Sequence, residues 1–211
     1  MNTIVATKTK SPKKAKSYIC HEIAGVEREV SMKSLGRVAT EDLQFLKALD
    51  VAFYETGWPE KLEKKDLDLC SAMGIDPEIV KYEEGENAIV SFSGMNVDQK
   101  KAANDLFVRY FPEAANWRHY TTAFRSYFAH PHKDHVDTCR AQVMIITSNP
   151  FGHRLYSVDA KGEESVFVPS AGDIVFLDTR CLHAVMPVTE GHDLVDVRQN
   201  PMEAFFMCFG D

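Results

Sequence analysis

Cysteine is scarce and scattered in this 211-residue chain: five residues, at positions 20, 70, 139, 181 and 208, with no Cys-x-x-Cys pair. An odd number at wide spacing excludes a disulfide framework and a zinc ribbon. It fits reduced thiols that act as buried fillers in a cytoplasmic protein. Long apolar runs are missing too. A membrane-spanning helix needs roughly 20 apolar residues, whereas the longest run here, Ala204 to Phe209, has six. The expectation is a soluble protein with no membrane partner. There is no Walker-type phosphate loop, no Gly-x-Ser-x-Gly elbow and no His-Glu-x-x-His, which removes the best-marked routes to phosphoryl transfer, serine hydrolysis and zinc hydrolysis. Internal repeats are absent.

Acidic residues and arginine are both missing from residues 1–16, which hold five lysines (Lys8, Lys10, Lys13, Lys14 and Lys16). A secretory signal would place an apolar segment next, and none follows. Residues 1–16 therefore read as a solvated basic tail, and 17–211 as one domain. The whole chain nevertheless carries a net charge of −7, so its body is acidic and argues against a large nucleic-acid face.

Aromatic residues are plentiful, with 13 Phe, 7 Tyr and 2 Trp, enough apolar surface to build a core. Tyr18–Ile23 and Val26–Val30 read as short strands around Gly25. Thr40 reads as the N-cap of a helix whose Leu43, Leu46, Leu49 and Phe53 recur at helical spacing, ended by Gly57-Trp58-Pro59. A second helix is expected over 60–73 with Gly74 as its C-cap, another turn at Asp76-Pro77, a strand over 87–92, and a helix over 97–111. Beyond residue 120 the pattern changes to short β-type runs at 121–129, 141–147, 153–158, 165–168, 173–177, 182–188 and 203–209, punctuated by Gly and Pro. Such spacing marks a sandwich or barrel. The fold class expected is α+β, with a β core over about 120–210 and supporting helices in the N-terminal half.

Polar chemistry concentrates in one place. His130, His132, Asp134, His135 and Asp137 lie within eight residues at the end of an expected strand, and His183 follows about 50 residues later in another. Two imidazoles and one carboxylate on one face, with open positions, suit non-haem Fe(II). A His-x-Asp spacing lets strand positions i and i+2 point the same way.

These elements resemble the Fe(II)/2-oxoglutarate-dependent dioxygenases, prolyl hydroxylases among them, which are built on a double-stranded β-helix, or jelly roll. The resemblance rests on His-x-Asp, on the turn and apolar strand Pro169-Ser170-Ala171-Gly172-Asp173-Ile174-Val175-Phe176-Leu177-Asp178, and on Leu182-His183-Ala184-Val185-Met186-Pro187-Val188 before Gly191. It covers residues 121–210.

The resemblance implies His132, Asp134 and His183 as iron ligands. His135 and Asp137 form the competing pair; family members usually leave a loop before the next strand, which favours His132 and Asp134. It also implies a basic anchor for the far carboxylate of 2-oxoglutarate. Arg198 is the only Arg after His183, a planar fork suited to a carboxylate, although Gln199 and Asn200 depart from the family's Arg-x-Ser/Thr. Arg140 and Arg154 are fallback anchors, and Tyr127 is a candidate hydrogen-bond donor to the co-substrate.

The activity implied is oxidation coupled to decarboxylation of 2-oxoglutarate to succinate and CO2, with dioxygen as the second co-substrate. A protein side chain is the leading substrate, ahead of a nucleobase and a small metabolite. A cupin-type metal protein could use His130 and His132, but it wants a Glu where Val136 and Asp137 stand. A jelly-roll binding module without metal is the non-enzymatic alternative.

Overall fold

The computed structural model describes residues 18–56, 68, 71–72, 90–134, 141–188 and 190–209. In chain order these form α1 (Ile19–Ala24), β1 (Met32–Arg37), α2 (Thr40–Lys47), β2 (Phe53–Thr56), β3 (Val90–Ser93) and α3 (Val97–Tyr110). A 3-10 turn at Pro112–Asn116 leads into β4 (His119–Ser126), β5 (Ala129–His132), β6 (Ala141–Ser148), β7 (Arg154–Val158) and β8 (Glu164–Phe167). The chain continues through β9 (Asp173–Leu177), β10 (Leu182–Met186), α4 (Leu194–Gln199) and β11 (Met202–Phe209). The helix expected over 60–73, its Gly74 cap and the Asp76-Pro77 turn fall almost wholly outside the described residues.

The strands form two antiparallel sheets, one of seven in the order β1-β9-β6-β11-β4-β3-β2 and one of four in the order β5-β10-β7-β8. From β4 onward the chain passes between the sheets in the interleaved order of a jelly roll. The apolar run Ala204–Phe209 is the reason β11 can sit centrally, hydrogen-bonded to β4 on one side and β6 on the other. Its alternate residues enter two cores. Ala204, Phe206 and Cys208 join Phe124, Met144, Ile146, Val175 and Leu177 against Leu155, Ala184, Val185 and Met186 of the small sheet. Phe205, Met207 and Phe209 turn the other way, onto Leu46 of α2 and Ala103, Leu106 and Phe107 of α3.

Four expectations for the N-terminal half are corrected. Ile19–Ala24 form a helix where a strand was expected over Tyr18–Ile23, and Val26–Val30 run through a turn instead of a strand. Cys20 and His21 pack one face of a short turn against the sheet, and Gly25 ends it in the left-handed conformation (φ 63°), returning its N–H to the helix. The α2 helix stops at Lys47 instead of running to Phe53. Asp50 takes a left-handed backbone (φ 46°), and the Gln99 side chain of α3 donates to the Leu49 carbonyl at 2.7 Å, turning the chain into β2. Ala39, not Thr40, is the N-cap of α2. The N-terminal half is therefore more than a helical support: β1, β2 and β3 extend the large sheet at both ends.

One glycine is dictated by its surroundings. Gly172 has φ 95°, and a Cβ there would lie 3.1 Å from Arg37 Nη2. Its neighbour Asp173 accepts from the Ser170 N–H at 2.7 Å and from Arg37 of β1. The Gly-Asp turn thus pins the start of β9 and, through β9, the segment that follows it.

Candidate metal centre

β5 is the edge strand of the small sheet, which is why Pro131 is tolerated there without costing a ladder hydrogen bond. Its pairing with β10 joins Ala129 to Val185 and His132 to His183, so β5 carries one more residue than β10 over this interval. That bulge places His132 directly opposite His183, with both rings on one face of the sheet. The ring centroids are 4.3 Å apart.

Asp134 follows two residues after His132. Its Oδ1 lies 3.5 Å from His132 Nε2 and 3.8 Å from His183 Nε2. One nitrogen from each imidazole and one carboxylate oxygen fall within 4.8 Å of one another. The other nitrogen of each ring is engaged by backbone: His132 Nδ1 meets the His130 carbonyl at 2.6 Å, and His183 Nδ1 meets the Cys181 carbonyl at 3.0 Å. A carbonyl can only accept, so both Nδ1 atoms carry a proton, and both Nε2 atoms face the carboxylate as the positions left to ligate a metal. This is the outer-sphere arrangement that fixes the tautomer of metal-binding histidines.

The electrostatics agree with the geometry. Burial, reinforced by the neighbouring His132, pushes the His183 imidazole down to about 4, so at neutral pH it is uncharged and free to ligate. Burial alone would raise the Asp134 carboxyl. Hydrogen bonds from His132 and Thr179 and the proximity of His183 outweigh that, and hold it below the ordinary carboxylate range. A carboxylate anion, the neutral His183 imidazole and the facing His132 Nε2 make a hard-to-borderline donor set suited to a divalent transition metal.

The turn between β9 and β10 frames this cluster. The Thr179 carbonyl accepts from the Asp134 N–H at 2.9 Å, and the Cys181 carbonyl orients His183. Between them, Asp178 and Arg180 lock the turn. Arg180 Nε and Nη2 donate to the two carboxylate oxygens of Asp178, the first at 2.8 Å. The buried His21 of α1 brings its Nε2 within 3.5 Å of the same carboxylate, and Asp178 N donates to the Ser31 carbonyl at 2.8 Å. Arg180 in turn lies over the Tyr18 ring, 4.6 Å from its centroid. Asp178, Thr179, Arg180 and His21 were not among the residues expected from sequence. Asp178, Thr179 and Arg180 carry only the signal of their place just ahead of His183, and His21 carries none.

Of the expected site residues, His132, Asp134 and His183 are brought together. Tyr127 sits in the bend between β4 and β5, buried within the core between the sheets. Arg198 belongs to α4, and its side chain lies outside the described residues, as do His135, Asp137 and Arg140 entirely. Arg154 is exposed and alternates to the face of β7 opposite Ser157 and Leu155. The positions of β11 that turn toward the small sheet, Met202, Ala204, Phe206 and Cys208, are uncharged.

No protein-family model matches the sequence, and no curated protein matches it. Among solved structures, an oxidoreductase of the 2OG-Fe(II) oxygenase family from Burkholderia pseudomallei is similar at a TM-score of 0.56 and 15% identity, over 90% of this chain and 89% of that one. AviO1 from Streptomyces viridochromogenes is similar at a TM-score of 0.50 and 15% identity, over 90% of this chain and 94% of that one. At such identity the likeness is one of fold.

Proposed function

We propose that this chain is an Fe(II)- and 2-oxoglutarate-dependent oxygenase. The observation that carries the reading is the His132–Asp134–His183 set, assembled from a strand edge, a turn and a facing strand on the fold of a known 2OG-Fe(II) oxygenase. Iron held there would supply oxidative chemistry with dioxygen, coupled to conversion of 2-oxoglutarate to succinate and CO2.

The chain's own residues set the conditions for that chemistry. His132 and His183 offer Nε2 lone pairs because their Nδ1 protons are committed to the His130 and Cys181 carbonyls. Asp134 stays ionised through its contacts with His132, His183 and Thr179. Two imidazoles ligating through lone pairs and one carboxylate would bring a charge of −1, so a divalent cation bound there would keep a net positive charge that attracts an anionic co-substrate. No general base from the protein is needed, which agrees with a centre holding one carboxylate and two backbone-locked imidazoles.

The substrate class we place first is a protein side chain, undergoing hydroxylation. The acidic net charge of −7 disfavours a polyanionic nucleic acid. Fe(II), 2-oxoglutarate and air added to the protein should yield succinate, with slow uncoupled turnover even without substrate. Asp134→Ala should abolish it. Succinate formation that persists in Asp134→Ala would overturn the reading.

A further inference from the structure

On its β3 side, β4 is only half covered. It runs from His119 to Ser126 and pairs with β11 over that whole length, whereas β3 meets it only at Phe124, Arg125 and Ser126. Ser93 ends that ladder, its hydroxyl accepting from the Ala123 N–H at 3.1 Å and lying 2.8 Å from Thr122 Oγ1. The chain then turns away into α3. Beside residues 119–122 no strand among the described residues takes its place. An open pocket of about 480 Å³ lies there, between β4 and Lys100, Lys101 and Asn104 of α3.

One wall of this pocket is fixed by hydrogen bonds. The His119 ring is held between the Trp117 carbonyl at 2.7 Å and Asn104 Oδ1 at 2.6 Å, and the Thr121 hydroxyl donates to the same Oδ1 at 3.2 Å. The surroundings are cationic and aromatic. Lys101 pairs with Asp105 one helical turn on, but Lys100 and Arg118 are exposed and have no ion-pair partner among the described residues. Trp117 and Tyr120, on either side of His119 in the chain, are 45% and 47% exposed. Large aromatics half bare beside uncancelled cations are the side chains that carry binding energy at protein interfaces. The chain holds 31 Asp and Glu against 24 Lys and Arg, five of the latter in residues 1–16. A positive pocket in so acidic a body selects a negative partner.

Strand register relates the pocket to the metal centre. Tyr120 pairs with Cys208, Cys208 with Gln142, and Gln142 with Leu177, the residue before the Asp178–Arg180 turn. Neighbouring strands lie about 4.8 Å apart, so Tyr120 stands roughly 14 Å from Leu177 on the face that looks onto the small sheet. An extended chain covers about 3.3 Å per residue. A segment a handful of residues from the reacting side chain therefore reaches the pocket.

We propose that the pocket between α3 and the start of β4 docks an extended, acidic segment of the protein substrate. Its carboxylates meet Lys100 and Lys101, and its apolar side chains lie against Trp117 and Tyr120. This deepens the reading above and rests on it for the segment's being part of a substrate; the docking itself needs neither iron nor 2-oxoglutarate.

The test uses the full, metal-free chain and the fluorescence anisotropy of a short labelled peptide of alternating Glu and Leu. A Lys-Leu peptide and oligothymidylate are the comparison probes. The Glu-Leu peptide should bind saturably and more tightly than either. Lys100→Glu should weaken it about fivefold or more, because reversal replaces an exposed attraction with a repulsion. Trp117→Ala should weaken it by a similar factor. Lys161→Glu, the same charge change on the β7–β8 turn, should alter it less than about twofold. All three residues are exposed, so the variants should keep the parent's urea midpoint.

Absence of saturable binding, full binding in Trp117→Ala, or an equal loss in Lys100→Glu and Lys161→Glu would overturn the proposal. So would tighter binding of oligothymidylate, which would assign the pocket to a nucleic acid. Each of these leaves the oxygenase reading standing, since succinate formation by the iron-loaded protein is measured separately. Docking as predicted in a chain that forms no succinate would overturn the substrate role and leave a peptide-binding jelly roll.

Discussion

His132 and His183 stand opposite one another in the β5–β10 ladder with ring centroids 4.3 Å apart, and Asp134 lies within 3.8 Å of both Nε2 atoms. Each ring is held by a hydrogen bond from Nδ1 to a carbonyl two residues earlier in the chain. The centre is therefore oriented by backbone, and its failure modes can be stated residue by residue.

Removing a ligand should be far more damaging than removing a neighbour. His183→Ala and Asp134→Ala are each expected to weaken Fe(II) at least about 100-fold, whereas Asp137→Ala should leave affinity unchanged. Competition titration with a chelating dye checks this. Full affinity in Asp134→Ala together with loss in Asp137→Ala would move the site to the other His-x-Asp pair.

Asp178 should act on the centre without touching it. Asp178→Asn removes the charge that faces Arg180 and His21, leaving a largely buried guanidinium without its carboxylate. A lost buried partner costs about 3–5 kcal/mol, and the partial exposure of Arg180 lowers the expectation to about 2–3 kcal/mol. Outer-sphere changes typically reduce metal affinity 10- to 100-fold, and the same range is expected here. Urea denaturation and Co(II) absorption spectra measure the two effects. A destabilised variant with an unaltered Co(II) spectrum and affinity would show that the turn does not position the ligands.

The metal-free protein should lose stability as pH falls from about 6.5 to 4. Burial lowers the imidazoles of His183, His153 and His21 below their ordinary value. Over that window the unfolded chain takes up protons that the folded chain does not, so the unfolded state gains. Each such group contributes a slope of up to about 1.4 kcal/mol per pH unit. Asp134, held below its ordinary value, extends the loss below about pH 4, where the unfolded carboxylate protonates first. Denaturation midpoints between pH 4.5 and 7.5 would read the slope, and a flat profile would contradict it.

The second core is separable from the centre. Phe107 on α3 is fully buried against the outer face of the large sheet. Phe107→Ala should cost about 3–5 kcal/mol and leave the Fe(II) affinity of the folded protein unchanged. A change in metal affinity comparable to that of Asp178→Asn would show that the two cores are coupled.

The part of the fold legible in the sequence was the part with strong local patterning. β6, β9 and β11 are apolar over nearly their whole length because both faces are buried, and their boundaries in sequence and structure agree closely. β1 was illegible because Met-Lys-Ser-Leu-Gly-Arg is an edge strand with mostly exposed side chains, held by its ladder to β9. β2 was hidden by Phe53, whose spacing from Leu46 and Leu49 imitates a helix. The clustering of His132, Asp134 and His183 could be read because His-x-Asp is a short local pattern and His183 follows a Gly-Asp turn. The pocket between α3 and the start of β4 could not, since the register at which β3 stops along β4 leaves no local trace.

The central claim is most directly tested by anaerobic titration of the metal-free protein with Fe(II) and then 2-oxoglutarate, following the weak visible charge-transfer absorption of the chelate. A band that requires both additions, saturates at one equivalent of each and is lost in His183→Ala is the predicted result. Stoichiometric Fe(II) binding with no band on adding 2-oxoglutarate would contradict the oxygenase reading and leave a metal-binding jelly roll of another kind.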